Sequence, residues 1–222
     1  MSHDYTLAVD SATVHGSVAL LRGLEVIAAR DVRMRGADEE TLMPAIVACC
    51  EEGGVAPRDV ARVACGEGPG SFTGLRIAAS IAKGFATATG CPLFAVSSLL
   101  LTVAGAAPVL PQGRYLSVID AHRSEYFALV VEIAADGLLR PEGGLEIVAE
   151  GDIAGFAAER EARLIGPAQE VEAWPRAGGV AALLPGIIAG GPVELVGWEP
   201  LYGRAPEAQV RWERAHGRAL SG

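Results

Sequence analysis

Apolar residues in the first part of the chain come in short runs separated by polar turns, which is typical of strands joined by tight connections. Tyr5 to Val9 is the first run and ends at Asp10, and Ser17 to Leu21 is the second. Arg22-Gly23 supplies the next turn, and Leu24 to Asp31 is a third run. The pattern predicts a meander of three antiparallel strands.

A helix is predicted after the meander, and it ends at Gly53-Gly54. Apolar positions repeat at spacings of three and four residues, and acidic residues occupy the first turn, where they suit the helix dipole. The apolar positions are Leu42, Met43, Ile46, Val47 and Cys50, and the acidic ones are Asp38, Glu39 and Glu40.

Strand and helix then alternate along the chain. Val60 to Cys65 predicts a strand, Gly66 to Gly70 a glycine-rich loop, Ser71 to Thr89 a helix, and Leu93 to Val96 another strand. This order is that of one half of the ribonuclease-H-like layer shared by actin, Hsp70 and sugar kinases, although other α/β layouts begin in the same way. We therefore predict an α/β protein with the actin/Hsp70-like ATPase fold.

A shorter C-terminal lobe is predicted for residues 106–222, after an N-terminal lobe of residues 1–105. Because this half is interrupted by glycine and proline, we expect a truncated second lobe without a complete five-stranded layer. Its predicted elements are strands at Tyr115 to Asp120 and Glu125 to Ile133, a strand at Leu145 to Val148, a helix at Ile153 to Arg160, a strand at Leu164-Ile165 and helical pieces near Val171 and Val180.

The composition predicts an ordered protein that does not bind nucleic acid strongly by itself. The 222 residues are 50% hydrophobic and 5% aromatic, so the core is built mainly from small and aliphatic side chains. The formal net charge of -9 repels phosphate backbones, and the sequence has no stripe of basic residues interleaved with aromatics. Any link to RNA is therefore expected to run through a partner.

Targeting signals and disulfide patterns are absent from the sequence. The N-terminus lacks the order of a signal peptide, and the apolar stretches are too short to span a membrane. Cys49, Cys50, Cys65 and Cys91 show no CxxC spacing, so reduced thiols are expected. We predict a cytoplasmic protein without a membrane partner.

The segment from Gly66 to Arg76 is the most informative stretch of the chain. It is a strand-to-helix connection with closely spaced glycines and Ser71 as the predicted N-cap. Such a loop can cradle an anion at the helix N-terminus, or it can be a tight connection needed only for packing. It is not a Walker loop, because no lysine and hydroxyl pair follows the last glycine.

Six segments together resemble the signature of the TsaB (YeaZ) family. The run Gly68-Pro-Gly-Ser-Phe-Thr-Gly-Leu-Arg76 is followed by Ala82-Lys83-Gly84 and by Pro92 to Leu99. Leu7-Ala-Val-Asp-Ser11 resembles the opening strand of the family. Asp120-Ala-His-Arg-Ser-Glu125 and Pro200-Leu-Tyr-Gly-Arg204 resemble its Asp-Ala-Arg-x-x-Glu and Pro-x-Tyr-Leu-Arg motifs. Ala12 departs from the family by replacing a hydroxyl residue.

The resemblance implies a non-catalytic subunit that dimerises with a TsaD-like enzyme and activates it. With a TsaE-like ATPase and ATP, such a complex transfers a threonylcarbamoyl group to the tRNA adenosine beside the anticodon. Members are often labelled glycoproteases. The alternatives are an ATP-dependent kinase of the same fold or a peptidase, and a homodimer when the chain is alone.

The residues predict no catalytic centre and no metal site. His3, His15, His122 and His216 form neither HxxxH nor HExxH, and no GxSxG elbow is present. We therefore expect no cofactor of its own, with ATP or ADP at the partner interface left open. A vestigial nucleotide site is predicted at Asp10, Ser11, Gly68, Gly70 and Ser71, with a turn that only caps its own backbone as the alternative.

The helix after the glycine loop carries a stripe of minimal side chains at a spacing of four residues: Gly74, Ala78, Ala82 and Ala86. Such a stripe lets another backbone approach closely. The stripe either packs inside the domain or faces a partner. In the family the first two helices bind TsaD, and this resemblance places the partner interface at Leu42, Ile46, Gly74, Ala78, Ile81, Ala82 and Phe85.

Overall fold

Two five-stranded sheets form the two halves of the computed structural model, which describes residues 4–34 and 41–204. In the first sheet the order is β3-β2-β1-β4-β5, with an antiparallel meander β1–β3 and β4 and β5 parallel to β1. The predicted order of three strands, helix, strand, helix and strand is confirmed, and the acidic residues Asp38, Glu39 and Glu40 lie outside the described residues. The strands of the first sheet are β1 (Tyr5–Asp10), β2 (His15–Arg22), β3 (Glu25–Arg33), β4 (Val60–Gly68) and β5 (Leu93–Ser97).

The second sheet repeats this topology with the order β8-β7-β6-β9-β10. Its first three strands again form an antiparallel meander, and β9 and β10 run parallel to β6. Two copies of one strand order constitute the actin/Hsp70-like ATPase fold, as predicted. The strands are β6 (Gly113–Asp120), β7 (Glu125–Ile133), β8 (Leu139–Ala149), β9 (Arg163–Gly166) and β10 (Val171–Glu172).

The expectation that the second lobe lacks a complete five-stranded layer is wrong. The fifth strand, β10, has two residues, and a helical piece was predicted there instead. So short a segment has no strand period in the sequence, and its pairing with Ile165 and Gly166 of β9 is what defines it. The shortening is confined to the later elements of the lobe: β9 has four residues and the helix α4 (Ile153–Glu159) has seven, whereas β8 has eleven.

Two helices cover one face of the first sheet. α1 (Leu42–Gly53) and α2 (Phe72–Thr89) pack their small and aliphatic side chains against Leu7 and Val9 of β1. Ser71 caps α2, because its Oγ accepts a hydrogen bond from the Gly74 amide at 3.3 Å. Both helices end at a left-handed glycine, as the sequence predicted for tight breaks.

The opposite face of the first sheet is covered by the end of the chain. Successive strand residues point to opposite faces, so Ala8 lies beneath α5 (Val180–Gly190) while its neighbours face α1 and α2. After α5 the chain returns to the edge strand, where the Val193 amide donates to the Leu93 carbonyl at 2.8 Å. The division of the chain at residues 105 and 106 stays a prediction.

A short helix that the sequence analysis missed joins the two lobes. α3 (Ser98–Ala104) places Leu99 and Val103 in the core of the second lobe and Leu101 against α5. Ser117 of β6 donates to the Leu99 carbonyl at 2.8 Å. All four cysteines are free thiols, as expected. Within residues 4–34 and 41–204, no helix has the length and apolarity needed to cross a membrane.

Candidate functional site

Asp10 ends β1 in full burial, and its carboxylate is paired within the first lobe. Oδ1 accepts from the Ala12 amide at 2.9 Å, and Oδ2 accepts from Ser98 Oγ at 2.5 Å. Ser98 Oγ in turn accepts from the Gly68 amide at 3.1 Å. Burial raises the pKa of Asp10 to about 6, while the hydrogen bonds from Ser98 and Ala12 lower it.

The glycine loop packs directly on the turn that follows Asp10. Ser11 Oγ donates to the Gly74 carbonyl at 2.6 Å, and the Ser71 amide donates to the Ala12 carbonyl at 2.7 Å. A Cβ built on Gly70 would overlap the Ala12 carbonyl, and one on Gly66 would overlap the Asp10 carboxylate. These glycines therefore allow a close approach of two backbone segments.

The five residues of the predicted nucleotide site are thus brought together by the fold. However, Asp10 and Ser11 are completely inaccessible. The Asp10 carboxylate is bonded to Ser98 and to the Ala12 amide, and Ser11 Oγ is bonded to the Gly74 carbonyl of α2. This arrangement favours the structural alternative for Asp10 and Ser11. Nucleotide contact by the loop stays a prediction.

A cleft of about 400 Å³ lies between the two lobes. Ser71 and Thr73 at the start of α2 line one wall, and Asp120 and His122 line the other. His122 Nδ1 lies 3.4 Å from Asp120 Oδ2, with both side chains exposed. In the part of the chain that the structure describes, no group of three or more His, Cys, Asp or Glu side chains is arranged to hold a metal ion.

The small-residue stripe faces the sheet of its own lobe. Ala78 and Ala82 are buried in the first-lobe core, where their size lets α2 approach β4 closely. The assignment of Leu42, Gly74, Ala78 and Ala82 to a partner surface is therefore corrected, since they are buried inside the lobe. Ile46, Ile81 and Phe85, which reach the outer side of these helices, stay a prediction.

The outer face of α1 and α2 carries two apolar grooves that meet at Met43. The first groove has a volume of about 450 Å³ and is lined mainly by α2, with Phe72, Arg76 and Ile77 at one end. The second has a volume of about 540 Å³ and lies along α1 toward Phe85. The sequence analysis did not place Met43 and Val47 at an interface, whereas Ile77, Ile81 and Phe85 were identified as neighbours of the small stripe that could make the contact.

The C-terminal motif (Pro200–Arg204) connects the glycine loop to the second lobe. The Leu201 amide donates to the Glu67 carbonyl at 2.7 Å, and the Tyr202 ring lies 4.7 Å from the Phe72 ring, between centroids. Arg204 then forms an ion pair with Glu125, the first residue of β7. The sequence analysis treated the segments of Glu125 and Arg204 as separate motifs, and the fold joins them.

The sequence of this chain is similar to that of proteins of known function. A family model described as TsaD, tRNA N6-adenosine threonylcarbamoyltransferase, matches residues 36–142. The proteins of Bacillus subtilis and Escherichia coli named tRNA threonylcarbamoyladenosine biosynthesis protein TsaB are 31% and 35% identical to this chain over 121 residues. These matches cover 54% of this chain and 52% of each relative, so the chain spans about half the length of the curated relatives it matches.

Longer matches extend the likeness to almost the whole chain. An uncharacterized protein of Mycobacterium tuberculosis is 32% identical over 212 residues, which is 91% of this chain and 93% of that one. The solved structure of YeaZ from Pseudomonas aeruginosa superposes with a TM-score of 0.74 at 27% identity, covering 90% of this chain and 99% of YeaZ. The chain belongs to the TsaB (YeaZ) family. A second Pseudomonas aeruginosa structure, described as similar to peptidase YEAZ, gives a TM-score of 0.77 at 27% identity over 90% of this chain and 100% of that one.

The residues of the family signature occupy adjoining parts of the structure. The signature run from Gly68 to Arg76 is the connection between β4 and α2, and it packs on the turn after Asp10. The family motif that ends in Glu125 and the motif that ends in Arg204 meet as one ion pair. The first apolar groove lies on the outer side of α2, the helix that begins within this signature.

Proposed function

We propose that this chain is a non-catalytic subunit in tRNA threonylcarbamoyladenosine biosynthesis, which dimerises with a TsaD-like enzyme and activates it. The observation that carries the proposal is the apolar outer face of α1 and α2. There Met43 and Val47 are 43% and 49% exposed beside the two grooves. The names of the curated relatives, and the match to the TsaD family model, support the pathway.

The physical argument for docking is the hydrophobic surface itself. Apolar area that becomes buried contributes roughly 25 cal/mol per Å², and contiguous apolar patches on a monomer commonly mark interaction sites. Met43 lies where the two grooves meet, so one apolar partner element along α1 and α2 would bury both. Arg76 at the end of the first groove supplies a charged rim, as many interfaces have.

The internal pairing of the signature residues supports the non-catalytic part of the proposal. Asp10 is bonded to Ser98, whose hydroxyl also accepts from the Gly68 amide, and Ser11 is bonded to the first turn of α2, so these buried groups serve the fold of the lobe. Chemistry on tRNA then belongs to the TsaD-like partner, with a TsaE-like ATPase and with ATP or ADP at the shared interface. The net charge of -9 favours tRNA contact through that partner.

The interface can be tested with two matched substitutions. Val47→Glu introduces a charge into the exposed groove, whereas Ile188→Glu does the same at a residue of similar exposure, 44%, on α5 at the other face of the sheet. We expect Val47→Glu to weaken binding to the TsaD protein of the source organism by about 30-fold or more, because the charge resists desolvation. Ile188→Glu should bind as the wild type does.

Isothermal titration calorimetry measures the affinity, and a thermal melt of each variant checks that the fold is intact. Analytical ultracentrifugation measures the homodimer in parallel, since the proposal assigns the same face of α1 and α2 to the homodimer and to the complex with TsaD. A folded Val47→Glu protein that binds TsaD with wild-type affinity would remove α1 from the interface. Wild-type protein that does not bind TsaD at all would remove the proposed function.

A further inference from the structure

The C-terminal motif contacts both lobes within five residues. At its start, Pro200 is buried and the Leu201 amide is bonded to the Glu67 carbonyl of β4. At its end, Arg204 is paired with Glu125 of β7. The motif is thus fixed to the first lobe at one end and to the second lobe at the other.

Tyr202 in the middle of the motif reaches the end of the first groove. Its ring packs on Phe72 at 4.7 Å between centroids with an interplanar angle of 43°, and the Arg76 guanidinium lies 4.5 Å from the centroid of the same Phe72 ring. Phe72 and Arg76 both line the first groove. The position of Tyr202 therefore affects the two side chains that shape this end of the groove.

Gly203 allows the chain to turn between Tyr202 and Arg204. Its φ of +71° is one that residues with a side chain rarely adopt, and a Cβ there would overlap the Phe127 ring and lie 3.1 Å from Pro69. The backbone of the motif consequently fills the space between the glycine loop of one lobe and β7 of the other. Packing of this kind fixes the separation of the two elements.

The ion pair at the end of the motif is partly buried. The side chains of Arg204 and Glu125 are 24% and 36% exposed, and the guanidinium lies 6.0 Å from the Phe127 ring centroid. Among the described residues no acceptor contacts Arg204 Nε, which is itself buried. A partly buried pair of this kind is costly to break on one side, because the remaining charge keeps its desolvation penalty.

We propose that the C-terminal motif is a clasp that holds the β6–β7 hairpin of the second lobe to the first turn of α2, and that it thereby sets the shape of the first groove. The second half of this statement rests on the proposed function, since the groove matters as a docking site for the TsaD-like partner. Tyr202 and Arg204 are then positioning residues. They act on partner binding through Phe72 and the second lobe.

The clasp is tested first without any partner, by hydrogen–deuterium exchange of the full chain. Arg204→Ala and the isosteric Glu125→Gln each break the ion pair, and Arg140→Ala breaks the exposed pair of Arg140 with Asp136 as a control. We expect exchange of the Leu201 amide and of the first bonded amides of α2, Gly74 and Leu75, to rise about tenfold in the first two variants only. The swap of Glu125→Arg with Arg204→Glu should restore protection.

The second arm measures the affinity of the same variants for the TsaD protein of the source organism. We expect Arg204→Ala to weaken binding about tenfold. The charge swap should recover the affinity, because Arg204 does not line the groove and acts only through its ion pair with Glu125. Wild-type exchange in both Arg204→Ala and Glu125→Gln would overturn the clasp. Faster exchange with unchanged affinity would overturn the link between the clasp and the groove, and the proposed function would stand. A wild-type chain that fails to bind TsaD would overturn the proposed function, and the exchange experiment alone would then decide whether the clasp exists.

Discussion

Ser98 Oγ donates a hydrogen bond of 2.5 Å to Asp10 Oδ2, although the two residues are 88 positions apart in the chain. The same hydroxyl accepts from the Gly68 amide at 3.1 Å. The end of β1, the glycine loop and the start of α3 are therefore joined at one buried oxygen atom. Because α3 also packs into the second lobe, this bond links the signature loop to the lobe junction.

Asp10 should make the stability of the protein depend on pH in an unusual direction. Its pKa is raised by burial from 3.8 to about 6, so the folded state binds a proton more tightly than the unfolded chain between these values. The contribution of Asp10 to the free energy of unfolding is then fully present below pH 3.8 and is lost as the pH rises to 6. Two pKa units correspond to about 3 kcal/mol as an upper value.

The variant Asp10→Asn isolates this contribution, because other carboxyl groups titrate equally in both proteins. Urea unfolding between pH 4 and 7.5 should show Asp10→Asn gaining stability relative to the wild type as the pH rises to 6, with no further gain above it. A difference between the two proteins that is constant across this range would contradict the assignment.

Ser98→Ala should be costly for so small a change. It leaves the Asp10 carboxylate and the Gly68 amide without their shared partner in a fully buried position, at an expected loss of about 2–4 kcal/mol in the free energy of unfolding. Ser80→Ala, at an exposed residue of α2, is the matched control and should be neutral. Chemical unfolding of both variants at pH 7 checks the prediction, which fails if the two variants are equally stable.

Ala82→Glu should damage the fold of the lobe, because Ala82 is 1% exposed in the first-lobe core. A buried carboxylate without a partner costs several kcal/mol, so we expect aggregation or a strongly lowered melting temperature. Thr87→Glu at an exposed position of the same helix should remain soluble with a nearly unchanged melt. Soluble, stable Ala82→Glu protein would mean that the stripe does not face the core.

Lys83 should hold the segment before the C-terminal motif against α2. Its Nζ donates to the Trp198 carbonyl at 2.8 Å and to the Val196 carbonyl at 3.4 Å. Lys83→Met keeps the aliphatic stem but removes these bonds, with an expected loss of about 1 kcal/mol in the free energy of unfolding. Urea unfolding measures it, Lys83→Arg is the charge-preserving control, and equal stability of the two variants would argue against the role.

The sequence was most informative where elements are long. The strands β1 to β5 and the helices α1 and α2 were predicted because each carries a full period of apolar residues, whereas the seven-residue α3 was missed and the two-residue β10 is defined only by its pairing partner. The small stripe of α2 was identified, but its direction was not. Ala78 and Ile77 are adjacent on a helix that is apolar on two sides, and size alone does not say which side meets the sheet.

Contacts between distant segments were the other limit. Asp10, Ser71 and Gly68 were grouped correctly, since each ends or follows a neighbouring strand, yet Ser98 was not recognised as the partner that Asp10 and Gly68 share. Glu125 and Arg204 were each identified within a motif. Their pairing depends on the path of the chain across both lobes, which no local pattern encodes.

The matching strand order of the two sheets allows equivalent positions to be compared as in an internal duplication. Asp10 ends the first strand of one half and Asp120 that of the other, and each carboxylate accepts from the amide two residues on, at 2.9 and 2.7 Å. This hydrogen bond is shared by the two turns, but Asp10 is sealed under the glycine loop and Asp120 is open to solvent. The two halves have diverged in what covers the end of the first strand, so Asp120 is the one of the two carboxylates that remains within reach of other molecules.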